Sequence, residues 1–82
     1  MRRNNQRHFD NKDWVHLKRK YKYRCVRCSR KETLDNPLTA DHVIPLSMGG
    51  SRAIGNIQPM CKDCNRIKDS NITDYRWRKF KD

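Results

Sequence analysis

Four cysteines in two pairs, and four polar side chains between and beside them, carry most of the chemistry this sequence offers. Cys25 and Cys28 form one C-x2-C pair and Cys61 and Cys64 another, with 32 residues between the pairs. Tetrahedral Zn2+ asks for this spacing, because each tight turn presents two thiolates at about 2.3 Å and two turns close all four positions. Such a site has no open position for water or substrate and is structural, its binding free energy becoming folding free energy in a small domain. Two disulfides, free buried thiols and an iron–sulfur cluster are the alternatives, and four cysteines without a secretory leader favour the metal. The remaining residues are Asp41 and His42 side by side, Asn56, and Asn65 directly after Cys64. Each alone is ordinary: Asp41 can cap a turn, His42 can be a core histidine, Asn56 can hold a left-handed turn, and Asn65 can sit on a helix face.

The elements that must position these residues can be read from pattern. Residues 1–10 are polar, basic and without periodicity, and read as a flexible arm. The segment DNKDWVHLKRKYKY predicts a helix capped by Asp10 or Asn11, with Trp14, Leu17 and Tyr21 as its apolar stripe and Lys18, Arg19, Lys20 and Lys22 facing elsewhere. LTADHVIPL predicts a strand stopped by Pro45, and SMGGSRAIG a loop punctuated by Gly49, Gly50 and Gly55. NIQPM allows a second strand, and CKDCNRIKD opens a helix whose first turn carries the second cysteine pair, with Ile67 toward the core. SNITDYRWRKFKD reads as a helix or a tail whose Tyr75, Trp77 and Phe80 pack on the core or stack on bases.

Composition narrows the partner. The chain has 82 residues, 34% hydrophobic and 35% charged, so it builds one domain with a core too small to stand without a staple. Twenty Lys and Arg against nine Asp and Glu give a net charge of +11, the footprint of a chain that sits on polyphosphate. That charge is uneven: residues 1–31 hold 12 basic and 2 acidic side chains, residues 32–61 hold 1 and 3, and residues 62–82 hold 7 and 4. A mildly acidic centre between basic flanks suits a divalent cation held against a phosphate backbone. No apolar run approaches the roughly 20 residues of a membrane span, and MRRNNQRHF has no apolar signal region after it, so the expected location is the cytoplasm.

Taken in order, LTADHVIPLSMGG, GNIQPMCKDCN and RIK, bracketed by the two C-x2-C pairs, resemble the HNH endonuclease family in its four-cysteine form. The resemblance covers a motif core at residues 25–68 and implies a small α+β chain with the ββα-metal fold, in which a strand–loop–strand hairpin packs on a helix around one divalent ion. The expected organisation is a basic arm at 1–10 and a single nuclease domain at 11–82 with a flanking N-terminal helix. The resemblance further implies a DNA substrate, nicked or cut through both strands, and phage terminase-type protein partners, which would place the protein in the host cytoplasm.

Within that resemblance His42 is the general base, since histidine ordinarily titrates at about 6.5 and suits proton abstraction from water near neutral pH. Asp41 and Asn65 are the expected ligands of a catalytic ion, both through hard oxygens, which favours Mg2+ or Mn2+. The family commonly has a histidine where this chain has Asn65. Asn56 is expected to hydrogen-bond across the loop and hold the base-bearing backbone. Arg66 and Lys68 follow on the same helix as candidate phosphate contacts or as a solvated basic face. Neighbours on a strand point to opposite faces, so Asp41 and His42 share a site only if the strand twists or bulges there. A zinc-stabilised nucleic-acid-binding module without catalysis explains the cysteines and the charge equally well but leaves the Asp41, His42, Asn56, Asn65 set as coincidence. A basic membrane-surface protein explains the charge alone.

Overall fold

The computed structural model describes residues 7–77. Helix α1 spans Asn11–Lys20, strand β1 Leu38–His42, strand β2 Ile57–Cys61 and helix α2 Lys62–Lys68. Two short 3-10 turns, Leu46–Met48 and Ile54–Asn56, lie in the loop between the strands. Asp10 and Asp13 form a reciprocal cap at the start of α1: Asp10 Oδ1 accepts from Asp13 N at 2.9 Å and Asp13 Oδ2 from Asp10 N at 3.1 Å. Lys18, Arg19 and Lys20 occupy its last turn, where cations complement the helix dipole.

The two strands pair antiparallel, one residue against one, from Leu38 opposite Cys61 to His42 opposite Ile57. All five residues of β2 are buried. One side of this hairpin meets the first cysteine turn, whose Val26 N donates to Pro59 O at 3.0 Å, a use of the one backbone hydrogen-bonding group proline retains. The core is Cys25, Val26, Leu38, Met60, Cys61 and Cys64, with Trp14, Tyr21 and Tyr75 packed against it. Half of the buried cluster is cysteine, so the core is built around the thiolate site as well as around hydrocarbon.

Three local expectations are revised, and one left open is decided. Lys18 does not face away from the core: its ammonium pairs with Glu32 at 3.1 Å and lies over the rings of Trp14 and Tyr23 at 5.5 and 6.0 Å. Glu32 also accepts from Leu38 N at 2.8 Å, so one carboxylate joins α1 to the start of β1. Residues 7–10, expected in a flexible arm, are tied down: Arg7 pairs with Asp13 at 3.0 Å and Phe9 N donates to Arg52 O at 3.2 Å. Ile67 is 60% exposed, because α2 has only seven residues and turns Cys64 and Lys68 inward, one helical turn apart. Beyond α2 the chain is a strap without helix as far as Trp77, with Tyr75 on the core and Trp77 exposed; Phe80 lies outside the described residues.

Candidate active site and metal centre

The four cysteine sulfurs all lie within 4.8 Å of one another. Cys28 Sγ and Cys61 Sγ are 3.8 Å apart, which matches the edge of about 3.8 Å for a tetrahedron with metal–sulfur bonds of about 2.3 Å. All four thiols are free, and a separation of 3.8 Å excludes a disulfide between that pair. The donor set therefore fits Zn2+, held by Cys25, Cys28, Cys61 and Cys64, with Cys28 the exposed member. Supporting donors are in place: Arg27 N lies 3.4 Å from Cys25 Sγ, Arg27 Nη1 3.4 Å from Cys64 Sγ, and Cys64 N 3.5 Å from Cys61 Sγ. Burial raises the Cys25 thiol, but N–H groups of Cys28, Cys61 and Arg27 outweigh it and leave that group below its ordinary value. Burial pushes the Cys64 thiol up to about 12, against the opposing hydrogen bond from Arg27. A cation at the centre is what lets four such groups lose their protons together.

A second constellation lies at the far end of the hairpin. Asp41, His42 and Asn65 line one cleft of about 270 Å3, together with Pro45, Leu46 and Asp69. Pairing continues without a bulge through Asp41 opposite Gln58 and His42 opposite Ile57. Both side chains reach the cleft because it sits where the strand ends and the chain turns into the loop. Asp41 is 4% exposed. Its Oδ2 accepts from Gln58 Nε2 at 2.8 Å and lies 3.2 Å from Lys68 Nζ. Asn65 Nδ2 donates to Thr39 Oγ1 at 2.8 Å, which fixes the amide plane on α2. A carboxylate and an amide oxygen in one small cleft are donors suited to a hard divalent cation that keeps most of its waters.

The loop bearing His42 is closed by Asn56. Its Oδ1 accepts from Ile44 N at 3.0 Å, and its Nδ2 donates to Ile44 O at 3.0 Å and to Ser51 O at 2.8 Å. Its backbone O accepts from Val43 N at 2.8 Å, so both residues after His42 are held by this one asparagine. The double glycine belongs to the same device. Gly49 has φ +88°, a conformation L side chains rarely adopt, and a Cβ on Gly50 would fall 1.7 Å from Ile44 O. Only hydrogen fits there, against the carbonyl that Asn56 also engages.

One residue differs from its expected place. Lys68 is not on a solvated face where a phosphate contact would stand: it is 2% exposed, and besides Asp41 it donates to His42 O at 3.0 Å. Long-range burial against β1 explains this, since its position on α2 points back at the hairpin. Arg66 does face solvent and pairs with Asp63 at 2.9 Å. The sequence reading left His8 and Arg52 without roles, yet both line a second cleft of about 270 Å3 on the other side of His42, with Phe9 and Leu46. A signal for Arg52 was present in the sequence, as it is the one basic residue among residues 32–61. A larger depression of about 560 Å3 lies away from these groups, between α1, Ile54–Gly55 and Arg76.

No curated protein matches the chain. The model of the HNH endonuclease family matches residues 25–81, which takes in both cysteine pairs, the hairpin and α2. That match, falling on a strand–loop–strand hairpin packed on a helix around four convergent thiols, places the chain in the HNH endonuclease family.

Proposed function

We propose that this protein is a metal-dependent DNA endonuclease in which His42 activates water for phosphodiester hydrolysis. The observation that carries the reading is the shared cleft of Asp41, His42 and Asn65 at the end of β1, with Asn56 fastening the chain that follows His42. A general base must reach its water in a fixed pose, and a misplacement of about 1 Å costs on the order of a hundredfold in rate. Asn56 gives the loop that fixity.

In this reading Asp41 and Asn65 would hold a Mg2+ or Mn2+ ion through their side-chain oxygens. When bound, that ion supplies charge to the scissile phosphate and to the leaving oxygen. His42 takes the proton from the attacking water at an imidazole nitrogen, and the products are a 5′-phosphate and a 3′-hydroxyl. Zn2+ in the four thiolates would have no part in the chemistry and would tie the turn at residues 25–28 to the end of β2 and the first turn of α2. Affinity comes mainly from Lys and Arg on phosphates, consistent with the +11 charge, and weakens steeply with salt. Arg52, which lines a cleft with His42, and Arg66, exposed on α2, offer cations for that purpose.

The test is nicking of supercoiled plasmid by zinc-loaded protein with Mg2+, Mn2+ or chelator added, alongside His42→Ala verified for zinc content and fold. Metal-dependent nicking lost in the folded variant is the expected result. DNA binding without nicking by either protein would instead favour a zinc-stabilised binding module.

A further inference from the structure

Gln58 is fully buried on β2, and nothing in the hydrolytic scheme asks for an amide there. A buried amide with unmet hydrogen bonds costs free energy, so its partners say what it is for. Nε2 donates to Asp41 Oδ2 at 2.8 Å and to Thr73 O at 2.9 Å, and Oε1 accepts from Tyr75 N at 2.9 Å. One side chain thus joins the candidate metal-ligating carboxylate to the strap that follows α2. The strap is clipped a second time by Arg76, which donates to Gly55 O at 2.7 Å and pairs with Asp74 at 3.0 Å.

The arrangement at Asp41 is one-sided. The contacts from Gln58 and from Lys68 both fall on Oδ2. Among the described residues the one buried side-chain polar atom without a partner is Asn36 Oδ1. Both contacts of the Asp41 carboxylate with described residues fall on Oδ2, and Oδ1 is not among the buried atoms left without a partner, so it keeps access to solvent in the cleft that Asp41 lines. A carboxylate free to rotate would present either oxygen, or both; with Oδ2 pinned inward, it presents one.

We propose that Gln58 is a positioning residue that fixes Asp41 with Oδ1 toward the cleft, and that through Gln58 the strap Thr73–Tyr75 becomes part of the support of the site. This rests on the reading of Asp41 as a ligand of a divalent cation. Groups that orient a ligand in this way typically alter metal affinity by 10- to 100-fold when removed. The strap then acts on the site without touching metal or substrate.

The experiment measures Mn2+ binding to zinc-loaded protein by electron paramagnetic resonance, and hydrogen exchange of the Tyr75 amide in the Mn2+-free protein. The variants are Gln58→Met, which is uncharged and similar in length, Arg76→Ala, Asp41→Asn, and the Gln58→Met/Arg76→Ala pair. Gln58→Met should weaken Mn2+ binding by about tenfold or more and speed Tyr75 exchange, at unchanged zinc content. Arg76→Ala should move both readouts the same way, and should add nothing once Gln58 is Met. Loss of Mn2+ binding in Asp41→Asn, at wild-type zinc content and helix signal, but not in Gln58→Met overturns the positioning role while leaving the ligand role intact. Equal binding by wild type and Asp41→Asn overturns the ligand role, and the positioning role with it. Should Gln58→Met fail to hold zinc, Arg76→Ala decides: faster Tyr75 exchange at unaltered Mn2+ affinity overturns the proposal.

Discussion

Replacing Asp41 with alanine should cost this protein much of its stability before it tells anything about catalysis. The Asp41 and Lys68 side chains are 5% and 1% exposed, with nitrogen and oxygen 3.2 Å apart. Asp41→Ala strands the ammonium in the interior, with only His42 O at 3.0 Å left to it. Breaking a buried pair from one side costs about 3–5 kcal/mol, and the surviving bond to His42 O argues for the lower part of that range. A domain of this length has a total stability of roughly 4–12 kcal/mol, so the loss is a large fraction of it and corresponds to a fall in Tm of at least about 12 °C. Lys68→Met in the same background removes the stranded charge and replaces it with hydrocarbon, which is often neutral or better than the pair itself. Asp41→Ala/Lys68→Met should therefore be more stable than Asp41→Ala alone, with a coupling of about 2–3 kcal/mol. Urea unfolding of the zinc-loaded proteins, followed by tryptophan fluorescence, measures the four corners of the cycle. A coupling under about 0.5 kcal/mol, or a double variant no more stable than Asp41→Ala, would refute the argument. The double variant is also the proper vehicle for asking whether Asp41 matters to cleavage, since its fold is not in question.

Three further outcomes follow from the same geometry. Gly50→Ala must displace the Ile44 carbonyl that stands 1.7 Å from the added methyl; nicking should fall by on the order of a hundredfold with the zinc site intact, and an unchanged rate would show that the loop need not be held. Zinc should be lost as pH falls, because each thiolate ligand competes with a proton and burial holds the Cys64 thiol up at about 12 in the absence of metal; zinc content and far-ultraviolet circular dichroism after chelation at pH 5 and pH 7 should show metal and helix lost together and sooner at pH 5. Arg76 holds the Asp74 carboxyl below its ordinary value, so this pair contributes stability above the unfolded carboxyl value of about 3.9 and loses it as pH falls through the lower folded value; at pH 7, where zinc is held and the pair is charged, exchange of the Tyr75 amide should be faster in Arg76→Ala than in wild type, and equal exchange would show that the pair holds nothing.

What the sequence disclosed follows from the range of the forces involved. The cysteine turns, the cap at Asp10 and each of the two strands taken singly are specified by residues within a few positions of one another, and each stands close to where its pattern placed it. Asn56 was expected across the loop from the family resemblance alone, and its partners Ile44 and Ser51 lie in that same connection. Lys68, Gln58 and Lys18 were not legible, since each is defined by a partner on another element: Asp41 on β1, the strap at Thr73 and Tyr75, and Glu32 before β1. Ile67 failed for a related reason. Apolar character implies burial only when a helix has enough inward positions, and the inward positions of α2 belong to Cys64 and Lys68. The neighbourhood of His42 was likewise extended by tertiary contact, with Phe9 bonded to Arg52 bringing His8 to the second cleft.

The central claim is that His42 accepts the proton of the attacking water, and chemical rescue tests it most directly. His42→Gly, zinc-loaded and folded, should fail to nick plasmid in the presence of Mg2+ or Mn2+, and added imidazole should restore nicking in proportion to its unprotonated concentration. Nicking by that variant at the wild-type rate without imidazole would contradict the claim and put the base elsewhere.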